Sequence, residues 1–437
     1  MTGTRIASWD QLLALPVRGE SFLLRRSHYA VLVDGGWKKD KVRSVLATHF
    51  PAIGKLDIVV CTHGDGDHAG GLPDLLKNWP GQIGQVWLPG RWADVVPDLM
   101  KDPKGFVKRL LRELDGIIGA NKPDPVVSSP FDRFVGADDQ TAAETFRTDE
   151  DLSIRRDGDD EAPFREEEDR YGAEIDLGAT EPIDEPTWFD ELRKAVNLPG
   201  DEVASRAFES ARSSIKYRER KLRLSAGAAT GWLGVIDTVE AIRGIANAAI
   251  ARKLRVRWFD YRAFETTRRP SGGVPGFLEP INAREQAPAP LYANLLLRLT
   301  EINRHSLVFF APPTITRLGV LLCGDSPLGD GSKFATSFLS STARPRYPIV
   351  STAPHHGAET NSAAYQHMRG WADIIVLVRA GGSSSQPGQT FKSLKWPLKV
   401  CATCPATRRA AHIAGVASAG PDWWYPLVIV GKPCACA

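Results

Sequence analysis

Within six positions the chain places His63, Asp65, Asp67 and His68, and an apolar run, Leu56 to Cys61, leads into them. Imidazole and carboxylate are the donors that Zn, Mn and Fe accept. Gly64 and Gly66 let the backbone between them fold tightly enough for all four to reach one small volume. The four residues make a metal site by composition alone. A second group of donors lies near the C-terminus. Cys401-x-x-Cys404 and Cys434-x-Cys436 could form a four-thiolate structural zinc site if a strand over Trp424–Val430 brings the pairs together; free thiols or a frayed tail are the other readings.

The pattern T-H-x-D-x-D-H-x-G-G over residues 62–71 resembles the signature of the metallo-β-lactamase superfamily. It matches the variant in which Asp replaces the second His of H-x-H-x-D-H, typical of the hydrolase domain of bacterial DNA-uptake competence channels and their soluble relatives. The resemblance implies an α/β (α+β) fold, a four-layer αβ/βα sandwich, with two divalent ions (Zn or Mn) held by His63, Asp65, Asp67 and His68. It implies that Asp325, in the Gly324-Asp325 turn after an apolar strand, bridges the two metals. Pro354-His355-His356-Gly357 is similar to the same relatives and to bacterial phosphorylcholine esterases. One of its histidines should ligate metal, with His355 favoured, and His356 should contact substrate or donate a proton. Asp34, closing a strand as Asp34-Gly35-Gly36, is expected to support a ligand rather than be one, as is Asn303. Asn303 and Ser306 match an N-x-x-S pattern of the relatives, whereas His305 does not.

Two departures matter. His305 is the sole His between the first loop and Asp325, and Asp65 stands where many relatives have His, so the first metal position is oxygen-rich and tilts towards Mn or another hard ion. Ser385-Gln386-Pro387 stands where relatives often carry G-H-P, which removes a His able to donate a proton. The implied chemistry is hydrolysis by a metal-activated water that Asp67 orients. A phosphodiesterase or nuclease is the favoured reading. A hydrolase of a non-phosphate ester, lactone or amide is the alternative, and a weakly active or inactive metal-binding interaction protein is the third.

The elements that must position these residues are legible from periodicity. Phe22–Leu24 and Ala30–Val33 read as paired strands, residues 41–50 as a helix, Leu56–Cys61 as the metal strand, residues 70–76 as the opening of a helix after the metal loop, and Gln85–Pro89 as a strand. The next helix and strand, residues 238–253 and 254–259, come only after a long interval. This divides the chain into a first half-fold (1–91), an insertion (92–235), a second half-fold (236–400) and a Cys-rich segment (401–437). The insertion opens with helical spacing over 98–118. Its middle, roughly 138–185, is crowded with Asp and Glu and reads as disordered. Residues 201–224 read as a basic helix carrying Arg206, Arg212, Lys216, Arg218, Arg220, Lys221 and Arg223. Either it pairs with the acidic stretch, or it forms a cap on which Arg212, Lys216 and Arg220 meet nucleic acid or another phosphodiester.

With 437 residues, 43% of them apolar, the chain can bury a large core. A net charge of +3 does not by itself mark a nucleic-acid binder. No apolar run reaches the ~20 residues a membrane span needs, and the first residues do not resemble a secretion signal. The expectation is a soluble cytoplasmic protein with no membrane partner. Cys61 and Cys323, on the two metal strands, are expected to be buried packing residues.

Overall fold

The computed structural model describes residues 10–120, 177, 185–221, 224–288, 304–314, 317–383, 385–404, 411–418, 427–434 and 436. Asn303, Arg223 and nearly all of the acidic stretch at 138–185 lie outside the described residues. Strands in chain order are β1 (Gln11–Ala14), β2 (Phe22–Arg26), β3 (Tyr29–Val33), β4 (Lys55–Val60), β5 (Gln82–Pro89), β6 (Arg255–Asp260), β7 (Glu279–Pro280) and β8 (Arg284–Glu285). They continue with β9 (Phe309–Ala311), β10 (Gly319–Leu322), β11 (Ile349–Thr352), β12 (Ile374–Arg379), β13 (Leu398–Cys401), β14 (Ala414–Ser418) and β15 (Leu427–Val430).

These strands form two mixed sheets. One is ordered β15-β14-β1-β2-β3-β4-β5-β6-β8 and the other β13-β12-β11-β10-β9-β7. Strands β3 to β6 run parallel, as do β10 to β13. Alternate side chains face opposite ways along a strand, so each sheet feeds two cores. Val31, Val33, Ile58 and Val60 meet Phe309, Val320, Val350 and Val378 between the sheets. Leu32, Leu56 and Val59 face outward onto helices, and Leu321, Ile349 and Leu377 do so from the second sheet, onto helix Ser362–Trp371 among others. This is the αβ/βα sandwich that the resemblance implies.

The helices up to β6 are α1 (Val42–His49), α2 (Gly66–Ala69), α3 (Leu72–Asn78), α4 (Val96–Lys101), α5 (Pro103–Ala120), α6 (Thr187–Lys194), α7 (Asp201–Arg220) and α8 (Ala226–Ala251). Three differ from the sequence reading. Asp67 and His68 were expected just before a helix N-terminus but lie inside α2, because the Asp65 carbonyl accepts the His68 and Ala69 amides and starts a turn there. The single helix over 98–118 is two, broken at Asp102 with Pro103 opening the second, where its missing N–H costs nothing. Helix α8 begins at Ala226 rather than 238, capped by the Ser225 hydroxyl accepting from the Ala228 amide. Gly227, Gly231 and Gly234 lower its intrinsic propensity, but burial of Trp232, Ile236 and Val239 on one face outweighs them, at ~1.5–3 kcal/mol per large apolar side chain.

α8 positions the metal loop directly. Thr238 and Ile242 pack so closely over Gly64 that a Cβ there would lie 2.9 Å from Thr238. The basic helix α7 ends at Arg220 and packs outside α8. Among the described residues, no helix is long and apolar enough to cross a membrane.

Candidate metal centre

Four parallel strands end at one edge of the sandwich, where open α/β architectures place their sites. β3 delivers Asp34, β4 delivers His63, β10 delivers Asp325 and β11 delivers the His355-His356 turn. Neighbouring side chains of an extended strand point apart, so two consecutive histidines need a special backbone to converge. His355 (φ 49°) and His356 (φ 54°) both sit in the left-handed region, followed by Gly357 at φ 80°. That conformation is costly for non-glycine residues and persists where the surroundings enforce it.

Asp325 is the common neighbour. Its Oδ2 lies 3.6 Å from His63 Nε2 and 3.4 Å from His355 Nε2, while its Oδ1 lies 3.0 Å from His68 Nε2 and 4.0 Å from His356 Nε2. Asp65 Oδ2 is 3.7 Å from His63 Nε2, and Asp67 Oδ2 is 3.1 Å from His356 Nε2. Ligands ~2.0–2.2 Å from a shared ion at tetrahedral or octahedral angles stand ~3.0–3.5 Å apart. The six separations, 3.0–4.0 Å, lie at or somewhat above that spacing, and the donors include two clusters that share Asp325, one with His63 and Asp65 and one with Glu20, His68 and His356.

The residues fit such ions in a second respect. His63 Nε2, His68 Nε2, Asp325 Oδ1 and Glu20 Oε2 are buried and have no hydrogen-bond partner within the protein. The short His68–Asp325 approach lacks hydrogen-bond direction despite its length, as two donors aimed at a third body would. Burying such groups unpaired is expensive unless something else satisfies them.

The opposite ring nitrogens are all engaged, which fixes tautomer and orientation. His68 Nδ1 bonds Asp34 Oδ2 at 2.8 Å, and Asp34 also accepts from the Thr62 amide and hydroxyl. His63 Nδ1 meets Thr62 Oγ1 at 2.9 Å and Ser306 Oγ at 3.3 Å; Ser306 in turn accepts the Asp325 amide. His356 Nδ1 lies 3.0 Å from the Ala380 carbonyl, and Arg379 Nε donates to the His356 carbonyl. Asp34 and Ser306 thus stand behind the unpartnered Nε2 atoms of His68 and His63.

Burial opposes charge throughout the centre, yet the groups answer one another. Burial raises the Asp325 carboxyl, but His355, His68 and His63 hold it well below the ordinary range. Burial likewise raises Asp67, and His68 and His356 outweigh it, so its pKa is lowered. Burial lowers His63, as does His68, but Asp325 and Asp65 raise it to about 9.

The sequence reading missed Glu20. It is 1% exposed, 3.3 Å from His356 Nδ1, and shares a ligand-sized cluster with His68, Asp325 and His356. Burial pushes its carboxyl up to about 7, partly offset by His68 and His356. Its amide donates to the Asp67 carbonyl, a contact possible because Gly19 leaves no Cβ. An acid just before an apolar strand gives little signal, since only the folded chain brings it to the loop.

Other expected residues fall away from the centre. His305 stacks on Tyr261 and bonds Arg91; burial and that cation lower its pKa to about 3. Gln386 caps its own loop through the Ser383 amide and reaches the His355 carbonyl. Arg212 is tied to Asp237 and Glu240, whereas Lys216 and Arg220 are exposed. Cys61 and Cys323 are fully buried. Cys401, Cys404, Cys434 and Cys436 converge with one another.

A family model described as the Metallo-beta-lactamase superfamily matches residues 15–136, the part of the chain that carries the first loop. That domain and the clustered donors point to a metal-dependent hydrolase. No curated protein matches the chain.

Proposed function

We propose that the protein is a phosphodiester hydrolase, a phosphodiesterase or nuclease, that works with two divalent ions. His63, Asp65, His355 and Asp325 Oδ2 would hold one, and Asp67, His68, His356 and Asp325 Oδ1 the other. The observation that carries this reading is the position of Asp325, with one oxygen towards each donor set. Ions so held polarise a substrate oxygen and lower the pKa of water near neutrality. Each set offers two imidazole nitrogens and two carboxylate oxygens, donors that favour Mn or Zn over softer ions.

The residues themselves set the approach. Asp65, Asp67 and His355 are 34%, 25% and 23% exposed, whereas His63, His68, Asp325 and His356 are at most 3% exposed, so substrate meets the first three. Asp67 is anchored by His356 on one side and reaches the mouth on the other, where it orients an attacking water by accepting its hydrogen bond. His356 Nδ1 is held from behind by the Ala380 carbonyl, and its Nε2 faces Asp67 Oδ2 and Asp325 Oδ1, carboxylates that would share an ion with it, which supports a ligand role over the proton-donor role that its motif suggests. The phosphodiester assignment, and kinship to the competence-channel hydrolases, rest on H-x-D-x-D-H together with P-H-H-G.

One observation favours an uncharged ester, lactone or amide instead. A cavity of about 500 Å³ borders the metal loop at Gly66, lined by Trp37 and Phe208, and its acids Asp74, Asp201, Asp237 and Glu240 are matched by Lys38, Lys77, Arg212 and Arg243, so it offers a polyanion no net attraction. Turnover of bis(p-nitrophenyl) phosphate against p-nitrophenyl acetate and a simple lactone, on metal-loaded protein, separates the two. A phosphodiester preference of at least ~10-fold in kcat/KM supports the first reading. Preference for the neutral substrates overturns it, and no turnover of any leaves a metal-binding interaction protein.

A further inference from the structure

We propose that Cys401, Cys404, Cys434 and Cys436 hold one zinc ion as four thiolates, and that this knot anchors the turn that positions His356. Cys401 ends β13 and Cys404 lies in the turn beyond it. The returning C-terminal segment pairs beside that strand, with Val400 bridged to Pro433 and the Cys434 amide donating to the Lys399 carbonyl. This register sets Cys434 against Cys401, their sulfurs 2.8 Å apart. Cys404 Sγ lies 3.2 Å from Cys436 Sγ and 3.8 Å from Cys434 Sγ. The sulfurs of Cys401, Cys434 and Cys436 all fall within 4.8 Å of one another.

A tetrahedron with Zn–S near ~2.3 Å has edges of ~3.8 Å, the separation of Cys404 from Cys434, and the closer Cys401–Cys434 and Cys404–Cys436 pairs need open by only ~0.5–1 Å to admit one small ion. Cys401, Cys404 and Cys436 are at most 7% exposed, and the Cys436 amide donates to Cys434 Sγ. Thiols are weak hydrogen-bond partners, and four at one buried point gain little from each other. As thiolates on Zn2+, after releasing their protons to solvent, they gain a full coordination shell. A sulfur-only set also separates this site chemically from the oxygen-rich centre, and selects zinc.

The consequence for the centre runs through hydrogen bonds. The Cys401–Cys404 turn presents the Thr403 carbonyl to Arg379 Nη1 at 2.6 Å, and the Ala402 amide donates to the Arg379 carbonyl. Arg379, 1% exposed, donates from Nε to the His356 carbonyl at 2.6 Å. Arg379 is thus a positioning residue. This second step rests on His356 belonging to the metal centre; the zinc site itself does not.

The test is metal analysis with thiol titration on the full chain, and cobalt substitution. One thiolate-bound equivalent of zinc should survive dialysis in wild type, beside the ions of the oxygen-rich centre, and alone in Asp325→Ala, and that equivalent should be lost in Cys404→Ser/Cys436→Ser. Cobalt in its place should give intense thiolate charge-transfer absorption in wild type and Asp325→Ala alike, which carboxylate and imidazole donors cannot produce. All six thiols of the chain should titrate in denaturant with chelator. Titration of only two, as two disulfides would leave, overturns the proposal, as does iron in place of zinc or six freely reactive thiols in the folded chain. Should the double Ser variant fail to fold, Cys436→His keeps a four-donor shell; it should retain the zinc with shifted cobalt bands, and loss of zinc there also counts against the proposal. Stripping the thiolate zinc should weaken metal affinity at the oxygen-rich centre by ~10–100-fold, the usual effect of losing support behind a ligand.

Discussion

Asp67 combines three properties: a carboxylate beside His356, partial exposure at the mouth, and a carbonyl locked by the Glu20 amide. Its replacement by Ala should leave the sandwich folded, since its side chain packs no core, while kcat falls by more than ~100-fold. Circular dichroism and steady-state kinetics on the purified variant check this, and activity kept within ~10-fold contradicts it. Protons compete with metal at the same scale. His63 has a folded pKa of about 9 against 6.5 for the free side chain, because Asp325 and Asp65 outweigh the opposing effect of burial. In the metal-free protein that raised value contributes stability fully present below about pH 6.5 and lost as pH rises through about 9. A metal ion must displace this proton, so uptake should release protons and weaken as pH falls. Chelator competition at several pH values measures it, and pH-independent uptake would count against His63 as a ligand.

At the scale of elements, the strands that end in donors were legible because β-branched runs closed by Gly are a local signal: β4 before His63, β10 before Gly324-Asp325, β11 before Pro354. What was not legible depended on tertiary contact. Burial on one face of α8 overrides its glycines, the Asp65 carbonyl starts α2 early, and Glu20 reaches the centre only through the close approach at Gly19. The convergence of both His355 and His356 was equally hidden, since it needs two successive left-handed residues. Asp34 links elements: from the end of β3 it holds His68 and, through Thr62, the base of the metal loop. Asp34→Ala should therefore lower metal affinity by ~10–100-fold at unchanged ligand identity. Isothermal titration with Mn or Zn checks this, and unchanged affinity would remove Asp34 from the support of His68.

The whole molecule sets donors from both sheets against each other, with α8 stacked behind the first loop and α7 outside it. Of the cations proposed to meet a polyanion, Arg212 is already held by Asp237 and Glu240; its neighbour on the same helix, Arg218, pairs with Asp115. Lys216 and Arg220 on α7, and Lys221 just past its end, remain exposed. Neutralising these three should weaken nucleic-acid binding and flatten its log–log salt slope by about one unit per lost phosphate contact. Small-substrate turnover should stay unchanged. Unaltered affinity and slope would restrict α7 to packing and favour the small-substrate reading.

The central claim is that two divalent ions share Asp325, and elemental analysis of wild type beside Asp325→Ala tests it most directly. After loading with Mn or Zn and removal of free metal, wild type is expected to retain two more equivalents of divalent ion than the variant, with phosphodiester turnover following the metal. Equal metal content in the two proteins contradicts the account.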